Sequence, residues 1–171
     1  GLGSTWLDRS DAAMSSTRHS LAVFTRLGDR HNMARCNAAL GGGYLMMGEL
    51  GQAIQYLQMA AKGLESFADT SSSILVMENI AYTLQLQGND EMALVWCEKA
   101  LAYVEKGDPD DRFFILMRKA AIQVESGHAA ATLATLAEAQ TLVQQGLVMD
   151  YRGDVQAVTG EALVLKGDCA G

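Results

Sequence analysis

The chain has 171 residues, of which 49% are hydrophobic and 19% charged, with a formal net charge of −7. That composition excludes a disordered tail, and the length suits one continuous core or several stacked small units. The 13 Lys and Arg residues form no block, which excludes the cationic face that nucleic acid requires; no apolar run approaches the roughly 20 residues that span a bilayer.

Pro109 is the one proline, and its isolation favours long helices, because proline removes a backbone donor and breaks a helix interior. The opening Gly1-Leu2-Gly3-Ser4 has neither an initiator Met nor a secretory pattern. The cysteines Cys36, Cys97 and Cys169 are odd in number and form no C-x-x-C pair. A reducing compartment, the cytoplasm, is therefore expected.

In chain order, the apolar periodicity predicts a lone helix over 8–27, ended by the turn-prone pair Gly28-Asp29. A helical hairpin follows over 30–68, with three- and four-residue steps in Asn37–Met47 and again through Ala53, Ile54, Leu57, Ala60, Ala61 and Leu64. Ala68-Asp69 separates it from a second hairpin over 70–107, where Ser71-Ser72-Ser73 reads as a link and helix cap before Ile74. Gly107-Asp108-Pro109 leads into a third hairpin over 110–146, and a lone helix over 149–167 closes the series.

These elements repeat. Gly48, Gly88, Gly127 and Gly167 are separated by 40, 39 and 40 residues. Seven residues before each stands a small residue: Gly41, Ala81, Ala120 and Gly160. Ala13, Ala53, Ala93 and Thr132 keep the same register, as do Ser20, Ala60, Ala100 and Ala139 and the apolar Phe24, Leu64, Val104 and Val143. The glycine column marks the end of the first helix of each hairpin, where a left-handed backbone is favoured. The small columns mark crossings, since helices approach to about 8 Å only over small side chains.

Gly41 and Ala81, followed three residues on by Tyr44 and Leu84, then Ala53/Ala93, Leu57/Cys97 and Ala60/Ala100, resemble the tetratricopeptide repeat over nearly the whole chain. The period is about six residues longer than that family's usual 34. The longer segment Leu21–Arg30 is similar to the repeats of MalT-like and LuxR-type bacterial transcription activators. Lys119 and Thr159 stand where the pattern has Leu, so the third and fourth units depart from it. The resemblance implies an all-α fold, an α-solenoid of antiparallel helical hairpins wound as a right-handed superhelix. Residues 1–171 form a single array. With a lone second helix at one end and a lone first helix at the other, neither polar-capped, the array is expected to be a fragment of a longer solenoid. Such ends could pair with another copy as a homodimer.

The residues offer no chemistry. Gly41-Gly42-Gly43 has no preceding strand and no Gly-Lys-Ser/Thr, so it reads as helix rather than a phosphate loop. His19, His31 and His128 are not paired at helical spacing, and no metal site is expected. Cys97 sits in an interior column beside Leu57 and Leu136. No nucleophile, base and orienting group can be assembled, so neither an enzyme nor a cofactor is expected. The methionines, Met14, Met33, Met59, Met77, Met92 and Met149 among them, read as core filling, with Met46 and Met117 as exceptions.

In the family resembled, the first helix of each hairpin lines the concave face. Carried over by register, that face holds Arg35, Ala38, Gly42 and Leu45 in the first hairpin, then Leu75, Glu78, Asn79, Tyr82 and Gln85 in the second. Phe114, Met117, Arg118, Ala121 and Val124 continue it, then Asp154 and Glu161. Ala38, Gly42 and Phe114 replace the polar residues with which some relatives clamp a chaperone's carboxylates, which argues against that function. The expected function is binding of a protein or peptide segment in this groove, in the regulatory segment of a bacterial transcriptional regulator. Sensing of a small-molecule effector is the alternative.

Overall fold

The computed structural model describes residues 2–67, 69–104, 108–148 and 151–167, with side chains from Asp11 onward except that of Arg152. Ala68, Gly107, Met149 and Cys169, named above, lie outside the described residues. The described chain is all helical: α1 (Leu2–Leu27), α2 (Arg30–Met46), α3 (Leu50–Leu64), α4 (Thr70–Leu86), α5 (Asp90–Val104), α6 (Pro109–Glu125), α7 (Ala129–Gln144) and α8 (Arg152–Lys166). α1 begins at Leu2, six residues before the expected start, because nothing between Leu2 and Leu7 interrupts a helix. It packs as two compact units, Gly1–Gln87 and Gly88–Gly171.

In the first unit α1 lies on α2, α2 pairs with α3 as an antiparallel hairpin, α3 lies on α4, and α2 also touches α4. The second unit repeats the scheme: α5 lies on α6, α6 pairs with α7, α7 lies on α8, and α6 touches α8. The first helices α2, α4 and α6 are each 17 residues long, so the repeat is conserved in length as well as in pattern. This is an α-solenoid architecture of tetratricopeptide-like hairpins.

Two backbone signals recur with the repeat. Gly48, Gly88, Gly127 and Gly167 have φ of 75°, 73°, 75° and 82°, the left-handed conformation that ends a helix cheaply only at glycine. Asp29 and Asp69 each cap the helix that follows: their carboxylates accept from the Asn32 and Ser72 backbone N–H at 3.1 Å. Asp108 does the same for Asp110 N–H at 3.0 Å. The turn-prone aspartates are therefore N-caps. This corrects the reading of Ser71-Ser72-Ser73 as the cap: these serines lie within the first turn of α4, and Ser73 Oγ donates to the Asp69 carbonyl at 2.8 Å.

The core is built from the predicted columns. Ala53, Leu57, Ala60 and Leu64 of α3 are buried, as are Ala93, Cys97, Ala100 and Val104 of α5 and Thr132, Leu136, Ala139 and Val143 of α7. Gly41 sits at the α2–α3 crossing, where an added Cβ would stand 2.6 Å from Leu57 Cγ. Where the repeat departs from pattern, polar pairs take over. Lys119 Nζ reaches Glu98 Oε1 at 2.7 Å, and the buried Thr135 Oγ1 donates to Gln123 Oε1 at 2.8 Å. In the first hairpin those last two positions hold Tyr44 and Tyr56, stacked at 5.3 Å. Met59 and Met92 are exposed, a correction to their reading as core; they fall one residue before the buried Ala60 and Ala93, which turns them away from the inner face.

The glycine triplet supports a direct test. Gly41→Ala forces Leu57 to move and should cost about 1–3 kcal/mol. Gly42→Ala meets nothing within 4 Å and should stabilise by about 0.5–1 kcal/mol. Urea unfolding of the two variants should give midpoints on opposite sides of the parent.

Candidate partner-binding groove

The face of α2 away from α3 carries Arg35, Ala38, Ala39, Gly42, Gly43 and Met46, a helical stripe with short side chains at its centre. Two helices wall it. α1 contributes Ala13, Met14 and Thr17; α4 contributes Ser72, Leu75 and Asn79. Because the α2 side chains between these walls are so small, a groove of about 760 Å³ is left. Its floor is pinned by Met14, whose Sδ occupies the space a Cβ on Gly43 would need. Behind it Met14 joins Leu40, Tyr44 and Ala53 in a buried cluster.

The groove is apolar with a single charge. Met46 is 88% exposed and Leu75 56%, a large uncovered apolar surface of the kind that marks interaction sites. Arg35 is the one charged residue among the described residues that line it, and its charge opposes the upward shift of the neighbouring Cys36 thiol. Thr17, Ser72 and Asn79 supply hydroxyl and amide groups at the edges.

The predicted face is placed as follows. Arg35, Leu75 and Asn79 line the groove with Ala38 and Gly42. Leu45 does not, which is a correction: it packs against the Met14 cluster, because one further residue along α2 turns its side chain toward the core. Glu78, Tyr82 and Gln85 of α4 are half-buried and engaged in interactions of their own; none lines the groove. Phe114, Met117 and Arg118 belong to α6 in the second unit. There Phe114 is exposed and meets Tyr151 edge-on at 5.4 Å, while the buried Phe113 stacks on Tyr151 at 4.8 Å. Met117 and Arg118 are half-buried, Ala121 half-buried and Val124 buried. The α1 wall was missed by sequence reasoning, which assigned the face to first helices alone. Met46, set apart from the core methionines on sequence, is the most exposed large apolar side chain of those described.

One edge of the groove is tied to the α4 cap. Asp69 accepts from Ser72, and His31 Nε2 lies 2.9 Å from its other oxygen, with the His31 ring 4.8 Å from Phe67. Hydrogen bonding from Ser72, then from His31, holds the Asp69 carboxyl below the usual carboxylate range against the opposing effect of burial. Bonds from Asn32 do the same for Asp29. Burial pushes the Cys36 thiol up, so it holds less thiolate at neutral pH than an ordinary cysteine. No helix of the described residues is long and apolar enough to cross a membrane.

The fold and the groove define a helical-repeat protein. No described protein family matches the chain, and no curated protein matches it. Among solved structures it is similar to aspartyl phosphate phosphatase F from Bacillus subtilis, with a TM-score of 0.75 and 14% sequence identity over 95% of this chain. The chain spans less than half of that protein, 44% of its length. At this identity the likeness establishes a shared fold.

A carboxylate whose folded pKa is depressed stabilises above its unfolded value, near 4, and that stabilisation disappears as pH falls through the lowered folded value. Stability should therefore fall on acidification below about pH 4. Asp69→Asn keeps a capping oxygen and should shift that acid limb to a shallower slope, whereas Asp69→Ala should cost about 1 kcal/mol at neutral pH. Thermal melts across pH check both.

Proposed function

We propose that this chain is a protein- or peptide-binding module of the tetratricopeptide type, the regulatory segment of a multidomain bacterial regulator in a reducing cytoplasm. The observation that carries the reading is the groove on α2, where Met46 and Leu75 stand exposed on either side of small residues. Burying apolar surface of this kind drives most protein association. Among the described residues the groove lining holds no carboxylate, histidine or cysteine that could act as a general base or metal ligand, and we read the module as non-catalytic. The structurally similar protein is named a phosphatase of aspartyl phosphate; its chemistry is not carried to this chain. The MalT-like and LuxR-type resemblance of the long repeats supplies the transcriptional context. A small-molecule effector is the second reading, favoured by a volume of about 760 Å³, within the range of ligand sites.

Selection of a displayed peptide library against the chain should enrich binders. Leu75→Asp and Met46→Asp, both on exposed side chains, should each weaken the enriched peptides at least about tenfold, roughly 1.4 kcal/mol, without lowering the melting temperature. Failure to enrich, or binders indifferent to both changes, would overturn the groove. A metabolite that raises the melting temperature and loses that effect in Leu75→Asp would favour the effector reading instead.

A further inference from the structure

We propose that two copies of the chain associate through an uncovered face of α5, packed antiparallel about a two-fold axis that passes between Cys97 and Glu98.

α5 buries one face and leaves an apolar one uncovered. Ala93, Cys97, Ala100 and Val104 form its buried column. Beside that column Met92, Trp96, Lys99 and Tyr103 recur at steps of four, three and four residues, which sets them on one stripe of the helix, with Val95 at its border. Met92, Val95 and Tyr103 are 45%, 43% and 44% exposed. Trp96 is half-buried, and Lys99 Nζ stands 4.2 Å from the centre of its ring.

The repeat itself does not ask for these residues. In α3 the positions of Met92, Val95 and Lys99 hold Gln52, Gln55 and Met59; in α7 they hold Ala131, Ala134 and Glu138, and all six are exposed. The outward columns of the other two second helices are thus amide, small or charged at every place but Met59. A large apolar stripe that the repeat does not require marks an interaction surface, and Trp and Tyr are side chains that carry binding energy.

The spacing of the stripe selects a second copy as its occupant, because the stripe is complementary to itself. Met92 and Tyr103 lie equally far from the midpoint between Cys97 and Glu98, and so do Trp96 and Lys99. An antiparallel pairing about that midpoint sets Met92 of each copy against Tyr103 of the other, and Trp96 against Lys99. Sulfur on an aromatic ring and an ammonium on an indole are both favourable contacts. A parallel pairing in register would instead set Lys99 against Lys99. The two-fold contact uses the same surface on both copies and so closes at the dimer. One pair of 15-residue helices covers less than the roughly 1,600 Å² of a standard interface, so the dimer should form only in the range of about 10 µM to 1 mM.

The test uses the whole chain and sedimentation velocity over rising concentration. The parent should pass from monomer to dimer and stop there. Met92→Gln combined with Val95→Gln gives α5 the residues that α3 carries at those places. Both side chains are exposed, so this variant should melt no lower than the parent yet associate at least tenfold more weakly. Disulfide trapping reads the orientation. An equimolar mixture of Met92→Cys and Tyr103→Cys chains, oxidised gently, should join through the two introduced thiols, identified by mass spectrometry. Neither variant alone should join to itself through its introduced thiol, since an antiparallel pair holds those positions about 16 Å apart along the axis. A parent that stays monomeric at millimolar concentration, a double-glutamine variant that dimerises like the parent, or a disulfide in the single variants but not in the mixture would each overturn the proposal. Peptide capture at Leu75 and Met46 concerns a different surface and is read separately, so its failure is distinguishable.

Discussion

The structure depends on how closely two helices can approach. At the α2–α3 crossing the space beside Gly41 is already taken by Leu57, and a side chain there would lever the hairpin open. Ala81 and Ala120 hold the same column with no exposed surface. With the crossing narrow, the inner residues of the second helices reach the next first helix, so each hairpin shelters its apolar side against a neighbour rather than within itself. That is the energetic logic of a repeat array, and it explains why the columns of α3, within the first unit, and of α5 and α7, within the second, are each buried.

Around this constraint the chain tolerates substitution. Lys119 stands where the repeat has leucine and survives because Glu98 meets its ammonium group. Gln123 and Thr135 satisfy each other in a place where Tyr44 and Tyr56 stack. A buried polar group costs free energy only when left unpaired, so these exchanges keep the register. The ends of α2, α4 and α6 are held by chemistry that repeats with the crossings: aspartate at the start and left-handed glycine at the finish.

The groove follows from the same small residues used on the opposite side of α2. Gly41 is consumed by packing on α3, and Gly43 by packing on Met14 of α1. Gly42 and Ala38 face open space between α1 and α4. A stripe that lets helices close on one side thus leaves a channel on the other, with Arg35 the one charge among its described lining residues.

Helix class, repeat length, crossing columns and the glycine stops were legible in the sequence, because each is a local or periodic property of the chain. Register alone brings Arg35, Leu75 and Asn79 to one face, and the three line the same groove. Leu45, the α1 wall and the aspartate caps were not legible, and the reasons are geometric. One residue of helical rotation, about 100°, separates a groove position from a core position. Whether α1 borders the groove depends on a contact between helices that periodicity does not encode. A turn-forming aspartate becomes a cap only when the next backbone N–H groups point at it. Those decisions belong to tertiary packing, which alone determines which face of each helix is covered and which is left for a partner.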